Sequence, residues 1–164
     1  MRVTLIRHAE AGDDAPRDAD RSLTARGRED ARQLGHALGK RGVEFALMLS
    51  SPLVRAVQSA EIVAAEIAYR DRIEVTDLLV PEAAASQVLT FLKSTARRFD
   101  GAPSIALVAH EPILSAVAAA LIGKPRYPPL RKAEALRIRL GDDPHEGKGL
   151  LRWRVDARGH REQL

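Results

Sequence analysis

Three features of the sequence predict an α/β fold. Short apolar runs alternate with helix-length amphipathic stretches through the first 123 residues. Three of those runs stop abruptly, at Arg7-His8, at Ser50-Ser51-Pro52 and at His110-Glu111-Pro112, so polar groups collect where strands end. The last part of the chain changes to period-two alternation, as a hairpin requires. Together these specify a three-layer α/β/α sandwich with a mainly parallel, mixed central sheet of about six strands. Helices cover both faces, and the hairpin forms a C-terminal edge. All 164 residues are assigned to a single domain, long enough to bury a real core.

The first strand is Val3, Leu5 and Ile6, ending at Arg7-His8 and opening into a polar loop over 11–22. Thr24 is placed to cap a helix whose inner face is Ala31, Leu34 and Leu38, with Gly39 and Gly42 at its stop. Phe45 to Leu49 forms the second strand. Ser51 then suits an N-cap and Pro52 the first helical position, with Val54, Val57, Ile62 and Ala65 among the buried residues to about Tyr69. Arg55 falls in that first turn, and helical side chains lean toward the N-terminus, so its guanidinium is aimed at the end of the second strand.

Ile73 to Thr76 is a short third strand. A helix over about 86–99 follows, with Val88, Leu89, Leu92 and Ala96 inward and a turn at Asp100-Gly101. Ser104 to Ala109 is the fourth strand, and Ile113, Leu114, Val117 and Leu121 line a very apolar helix that stops at Gly123. Leu136, Ile138 and Leu140 alternate with Arg137 and Arg139; Leu151, Trp153 and Val155 alternate with Arg152 and Arg154. Each reads as a strand with one buried face, joined through Gly141-Asp142-Asp143-Pro144, and Trp153 belongs to the core. His36, His145 and His160 take no special position.

Composition narrows the function. With no cysteine, disulfides, thiolate-bound zinc and thiol catalysis are excluded. The N-terminal apolar run is too short for a signal peptide and no run approaches the ~20 residues of a membrane span, so a soluble cytoplasmic protein is expected. The net charge of +4 is spread along the chain among acids and aromatics are only 4%, which speaks against a nucleic-acid partner.

In parallel sheets ligands bind beyond the carboxyl ends of the strands. Arg7, His8, Arg55 and His110 all fall at that edge. Two guanidiniums and two imidazoles suit a highly charged oxyanion such as phosphate, which guanidinium grips in bidentate fashion. A neutral imidazole beside them could take a phosphoryl group, splitting hydrolysis into two displacements. The competing arrangement is an ion-pair cluster with Glu10, Glu82 or Glu111.

Four stretches carry a family resemblance: Leu-Ile-Arg7-His8-Ala-Glu, Leu23-Thr-Ala-Arg-Gly27, Ser51-Pro-Leu-Val-Arg55-Ala-Val-Gln-Ser-Ala60 and Val-Ala-His110-Glu-Pro112. In order and spacing across residues 3–123 the chain resembles the histidine phosphatase superfamily, which includes the phosphoglycerate mutases. Its length and simplicity are most similar to the small bacterial phosphohistidine phosphatases of the SixA type. The resemblance implies His8 as the phosphorylated nucleophile and Arg7, Arg55 and His110 as the phosphate pocket, with no metal and no organic cofactor. The chain departs from the common pattern at Ala9 and Ala109, where Gly is usual, and at Ser59, where Thr is usual. Larger relatives place a carboxylic acid after the third strand to protonate the leaving group; Glu82 stands at about that position.

An alkoxide requires that proton and an imidazole departs far more readily, so the substrate expected is protein phosphohistidine. The short 77–103 segment leaves little from which to build a lid over the pocket. The partner implied is a phosphohistidine-bearing signalling or phosphotransfer protein, with no membrane partner and a monomeric or weakly dimeric state. The alternatives are a small-molecule phosphomonoesterase of the same superfamily and a non-catalytic phosphoprotein-binding module.

Overall fold

The computed structural model describes residues 1–99, 102–141 and 143–163. Its centre is one seven-stranded sheet in the order β3-β2-β4-β1-β5-β6-β7. The strands are β1 (Arg2–Arg7), β2 (Leu47–Ser50), β3 (Glu74–Val75), β4 (Ser104–Ala109), β5 (Glu134–Arg139), β6 (Leu150–Asp156) and β7 (Arg161–Gln163). β1, β2, β3 and β4 run parallel, and β5, β6 and β7 continue antiparallel. The expected three-layer, mainly parallel mixed architecture is found, with β7 as an added strand. A three-residue segment carries too little periodicity to announce itself.

Helices α1 (Ala25–Gly39) and α2 (Val54–Glu66) cover one face; α3 (Ala85–Ala96) and α4 (Ile113–Leu121) cover the other. Because both faces are covered, the interiors of β1 and β4 are mostly apolar, with buried Thr4 and Ser104 the exceptions. Val3, Leu5, Ile105 and Leu107 pack toward α3 and α4, and Ile6, Ala106 and Val108 pack toward α1 and α2. Thr24 caps α1 as expected, accepting from Gly27 N at 2.9 Å. α1 and α2 approach closely at Gly35, where a Cβ would lie 2.6 Å from Glu66 Cβ.

Several local expectations are corrected. α2 begins at Val54, and Ser51 does not cap it. Its buried face is Arg55, Ala56, Ser59, Ala60, Val63 and Ala64, while Val57 and Ile62 are half-buried and Ala65 exposed. Turning Arg55 inward rotates the helix, and small side chains then meet α1. β3 is shorter than expected and exposed at both residues. In α3, Thr95 is fully buried where Ala96 was expected.

β5 is buried on both faces, so Arg137 is not on a solvent face. It donates to Thr4 Oγ1 and Ser104 Oγ and lies over the Trp153 ring, and burial pushes its pKa down to about 10. In β6, Trp153 pairs with Arg137 but Leu151 with Ile138, so the strand bulges at Arg152. Leu151 therefore packs on the α3/α4 side, and Trp153 and Val155 on the α1/α2 side. Arg154 is also drawn inward, forming a bidentate pair with buried Glu134. The turn expected at Asp100-Gly101 and residue Asp142 lie outside the described residues.

Candidate active site

Register brings the site together. Arg7 pairs with Ala109 across β1 and β4, and Ser50 with Val108 across β2 and β4. His8 N then donates to Ala109 O, and Ser51 N to Val108 O, each at 3.0 Å. The residues just past three adjacent parallel strands, His8, Ser51 and His110, are thus held at one height by the sheet. A cavity of about 220 Å3 opens there, lined by Arg7, His8, Arg55 and His110 together with Arg21 and Lys132.

The loop after His8 is fixed by the stretches around it. Ala9 N donates to Ser59 Oγ, which donates in turn to Arg55 O. Thr24 N donates to Glu10 O and Leu23 N to Gln58 Oε1. At Gly27 a Cβ would collide with the Glu10 carbonyl, so the start of α1 can press against this loop only with glycine there.

His8 is buried, and its ring lies 4.9 Å from that of His110 between centroids, tilted by 53°. His8 Nδ1 sits 2.6 Å from the Ala9 carbonyl oxygen. A carbonyl can only accept, so Nδ1 carries the hydrogen and the neutral ring keeps its lone pair on Nε2. Burial pushes the His8 pKa down to about 4. The bond to Ala9 opposes this, and the positive charges of Arg55, Arg7 and Lys132 reinforce it. His110 is pushed down to about 3, first by burial and then by His8 and Arg55. Both imidazoles are neutral near pH 7.

His110 Nε2 lies 2.8 Å from Ser51 Oγ, which also accepts from Leu53 N at 3.4 Å. The serine hydroxyl can then donate to Nε2, leaving the hydrogen of neutral His110 on Nδ1. That Nδ1 is buried without a partner among the described residues, and so is Arg7 Nε. Buried donors are rarely left orphaned without a ligand or water to meet them. Of the three buried side-chain polar atoms without a partner among the described residues, these two belong to residues lining one cavity; the third is Thr95 Oγ1 in α3.

Arg7 Nη1 donates to Leu130 O at 2.7 Å. Both terminal nitrogens of Arg55 are engaged by Asp18, Nη1 by its carbonyl at 2.7 Å and Nη2 by its carboxylate at 2.9 Å. Arg55 and Arg21 hold the Asp18 carboxyl below the usual range. A carboxylate thus does meet one of the arginines, but it is none of Glu10, Glu82 and Glu111. Glu111 accepts instead from Leu130 N and Ser115 N. Pro81 lines the cavity, whereas Glu82 is exposed and is not part of its lining.

Asp18, Arg21 and Lys132 were not singled out from the sequence. The Asp- and Arg-rich loop over 11–22 carried a faint signal for the first two, and nothing marked Lys132. Ser51 was conspicuous, but as a helix cap rather than as the partner of His110. Among the described residues no three His, Cys, Asp or Glu side chains are gathered so as to hold a metal ion. No helix there is long and apolar enough to cross a membrane.

A cationic cradle beside a neutral imidazole suits a tetrahedral oxyanion such as a phosphoryl group. The chain belongs to the histidine phosphatase superfamily: residues 3–81 match the family model for its branch 1. Its class is therefore that of a phosphatase. The phosphohistidine phosphatase SixA of Escherichia coli K12 is 28% identical over 155 residues, covering 94% of this chain and 93% of that one. An uncharacterized protein of a Picosynechococcus strain is 34% identical over 126 residues, 74% of this chain and 73% of its own. The structure of the protein histidine phosphatase SixA complexed with tungstate superimposes with a TM-score of 0.88 at 25% identity, covering 96% and 98% of the two chains.

Proposed function

We propose that this phosphatase hydrolyses phosphohistidine on a protein, by way of a phosphoryl group carried on His8. The observation that carries this is the protonation pattern of the pocket. His8 has its hydrogen committed to Ala9 O and its pKa lowered to about 4, leaving Nε2 as a neutral nucleophile. Beside it, two buried nitrogens of lining residues, Arg7 Nε and His110 Nδ1, have no partner among the described residues. The likeness to a SixA structure holding tungstate, a tetrahedral oxyanion, supports an anion in this cradle.

In the first displacement His8 Nε2 forms a bond to phosphorus as the P–N bond of the substrate breaks. Arg7, Arg55 and His110 stabilise charge on the equatorial oxygens. In the second, water attacks the phosphoryl group, its proton leaves with phosphate, and His8 is restored. The departing group takes the bonding pair and leaves as neutral imidazole, its distal ring nitrogen already carrying a proton from solvent, so the enzyme need supply no strong acid. Exposed Glu82, outside the cavity lining, fits that undemanding leaving group better than an alkoxide. No metal enters either step. The test is kcat/KM measured side by side for a phosphohistidine protein and a panel of phosphomonoesters, with and without EDTA. A clear preference for phosphohistidine, unaffected by EDTA, is expected; preference for a small phosphomonoester contradicts the substrate, and loss with EDTA contradicts the metal-free steps.

A further inference from the structure

Lys132 lines two cavities. One is the phosphate pocket; the other is a larger groove of about 670 Å3 that shares this lysine. The carboxylates of the groove are already engaged. Glu10 and Asp30 each lie 3.9 Å from Arg26, and Asp156 accepts from the backbone N–H groups of Arg158 and His160. Arg131, Lys132 and Arg158, by contrast, are exposed, and no carboxylate among the described residues pairs with their side chains. Four cations thus face three carboxylates in the groove, with the positive excess at Arg131, Lys132 and Arg158, and the groove shares Lys132 with the phosphate site.

The backbone presenting Arg131 and Lys132 is pinned on all sides. Leu130 N donates to Glu111, Arg131 N to Glu134, and Ala133 N to the His8 carbonyl. Glu134 is clamped by Arg154, which also donates to Pro129 O. Ala133 sits at φ 51, a left-handed conformation that alanine adopts only when its surroundings impose it. Binding to these two cations then orders their side chains alone and not the backbone that carries them.

From this juxtaposition we infer that the groove docks an acidic segment next to the phosphorylated residue of a protein substrate. Arg131 and Arg158 take its carboxylates, and Lys132 stands at the junction beside the phosphoryl group. Guanidinium selects carboxylate by its planar fork, and the groove lining holds no Phe, Tyr or Trp on which a nucleobase could stack; its one ring, His160, is drawn to Asp156. The inference rests on the phosphoprotein substrate proposed above and adds what must surround the phosphorylated residue.

The experiment uses two peptides bearing a non-hydrolysable phosphoryl-triazole analogue of phosphohistidine. One has Asp and Glu flanks and the other Asn and Gln, and each is titrated by fluorescence anisotropy at low salt. The wild-type protein is expected to bind the acidic peptide about tenfold more tightly. That ratio should collapse toward one in Arg131→Glu/Arg158→Glu. Arg131→Gln/Arg158→Gln provides a milder variant should the charge reversal unfold the chain. Equal binding by the wild type, no measurable binding of either peptide, or a ratio that survives both variants overturns the docking surface. Authentic phosphohistidine peptides give the second arm. An acidic preference without hydrolysis leaves docking standing and removes the substrate class. Hydrolysis indifferent to the flanks does the reverse.

Discussion

Arg7 and Glu111 grip the same residue from opposite sides: Arg7 Nη1 donates to the Leu130 carbonyl at 2.7 Å, and the Leu130 N–H donates to Glu111 Oε1 at 2.8 Å. One arginine of the proposed phosphate cradle is thus braced against the end of β4 through the loop that follows α4. Glu111 accepts from Ser115 N as well, so both its oxygens are fixed.

Glu111→Ala should therefore release Leu130 and loosen Arg7, lowering kcat/KM about tenfold, as expected for loss of a charge-assisted bond. Glu111→Gln keeps an acceptor at one position and should cost less. Steady-state kinetics with both variants, checked against their melting temperatures, separates loosening of Arg7 from unfolding. Equal kcat/KM in Glu111→Ala and the wild type would remove the brace.

Arg55→Lys keeps the charge but not the planar fork that Asp18 and a phosphoryl group would share. Activity should fall about a hundredfold, the scale of losing one preorganised donor to a transition-state oxyanion. A lysine that restores full turnover would show that only net charge matters there.

His8 and His110 have folded-state pKa values lowered from 6.5 to about 4 and about 3. Neither ring should titrate between pH 8 and 5 when followed by NMR, and His8 should show the Nδ1–H tautomer. The sign for stability follows. As pH falls below 6.5 the unfolded chain takes up protons that the folded chain refuses, so stability drains away until the folded-state values are reached. Denaturation midpoints should fall from pH 7 to pH 4, and less steeply in His8→Gln. Ring titration near 6.5 in the native protein would contradict the neutral pair.

Glu82→Gln should leave phosphohistidine hydrolysis within about threefold, since an imidazole leaving group needs no strong acid. Any residual action on phosphomonoesters should suffer more. Comparable losses on both substrate types would give Glu82 a role that its exposed position does not explain.

The strand ends were legible in the sequence because a buried strand reads as a mostly apolar run that stops at polar residues. Ile6 before Arg7 and Ala109 before His110 therefore mark the sheet edge directly. Arg55 was legible for a second reason, as a helix's first turn reaches back to the preceding strand. What stayed hidden depends on contacts between distant loops. Asp18 meets Arg55 across 37 residues, and Lys132 reaches the pocket because the 129–133 loop is clamped by Glu111, Glu134 and His8. No periodicity announces such contacts. The bulge at Arg152 was hidden too, since one inserted residue moves Leu151 to the other face of a strand whose alternation looks unbroken.

The most direct test of the account is to trap the intermediate. Wild-type protein quenched in alkali during turnover should carry one acid-labile, alkali-stable phosphoryl group on the peptide containing His8. His8→Ala should carry none and lose at least about 10,000-fold in rate, because nothing else in the cavity replaces the nucleophile. A phosphoryl group found on another residue, or undiminished turnover in His8→Ala, would contradict it.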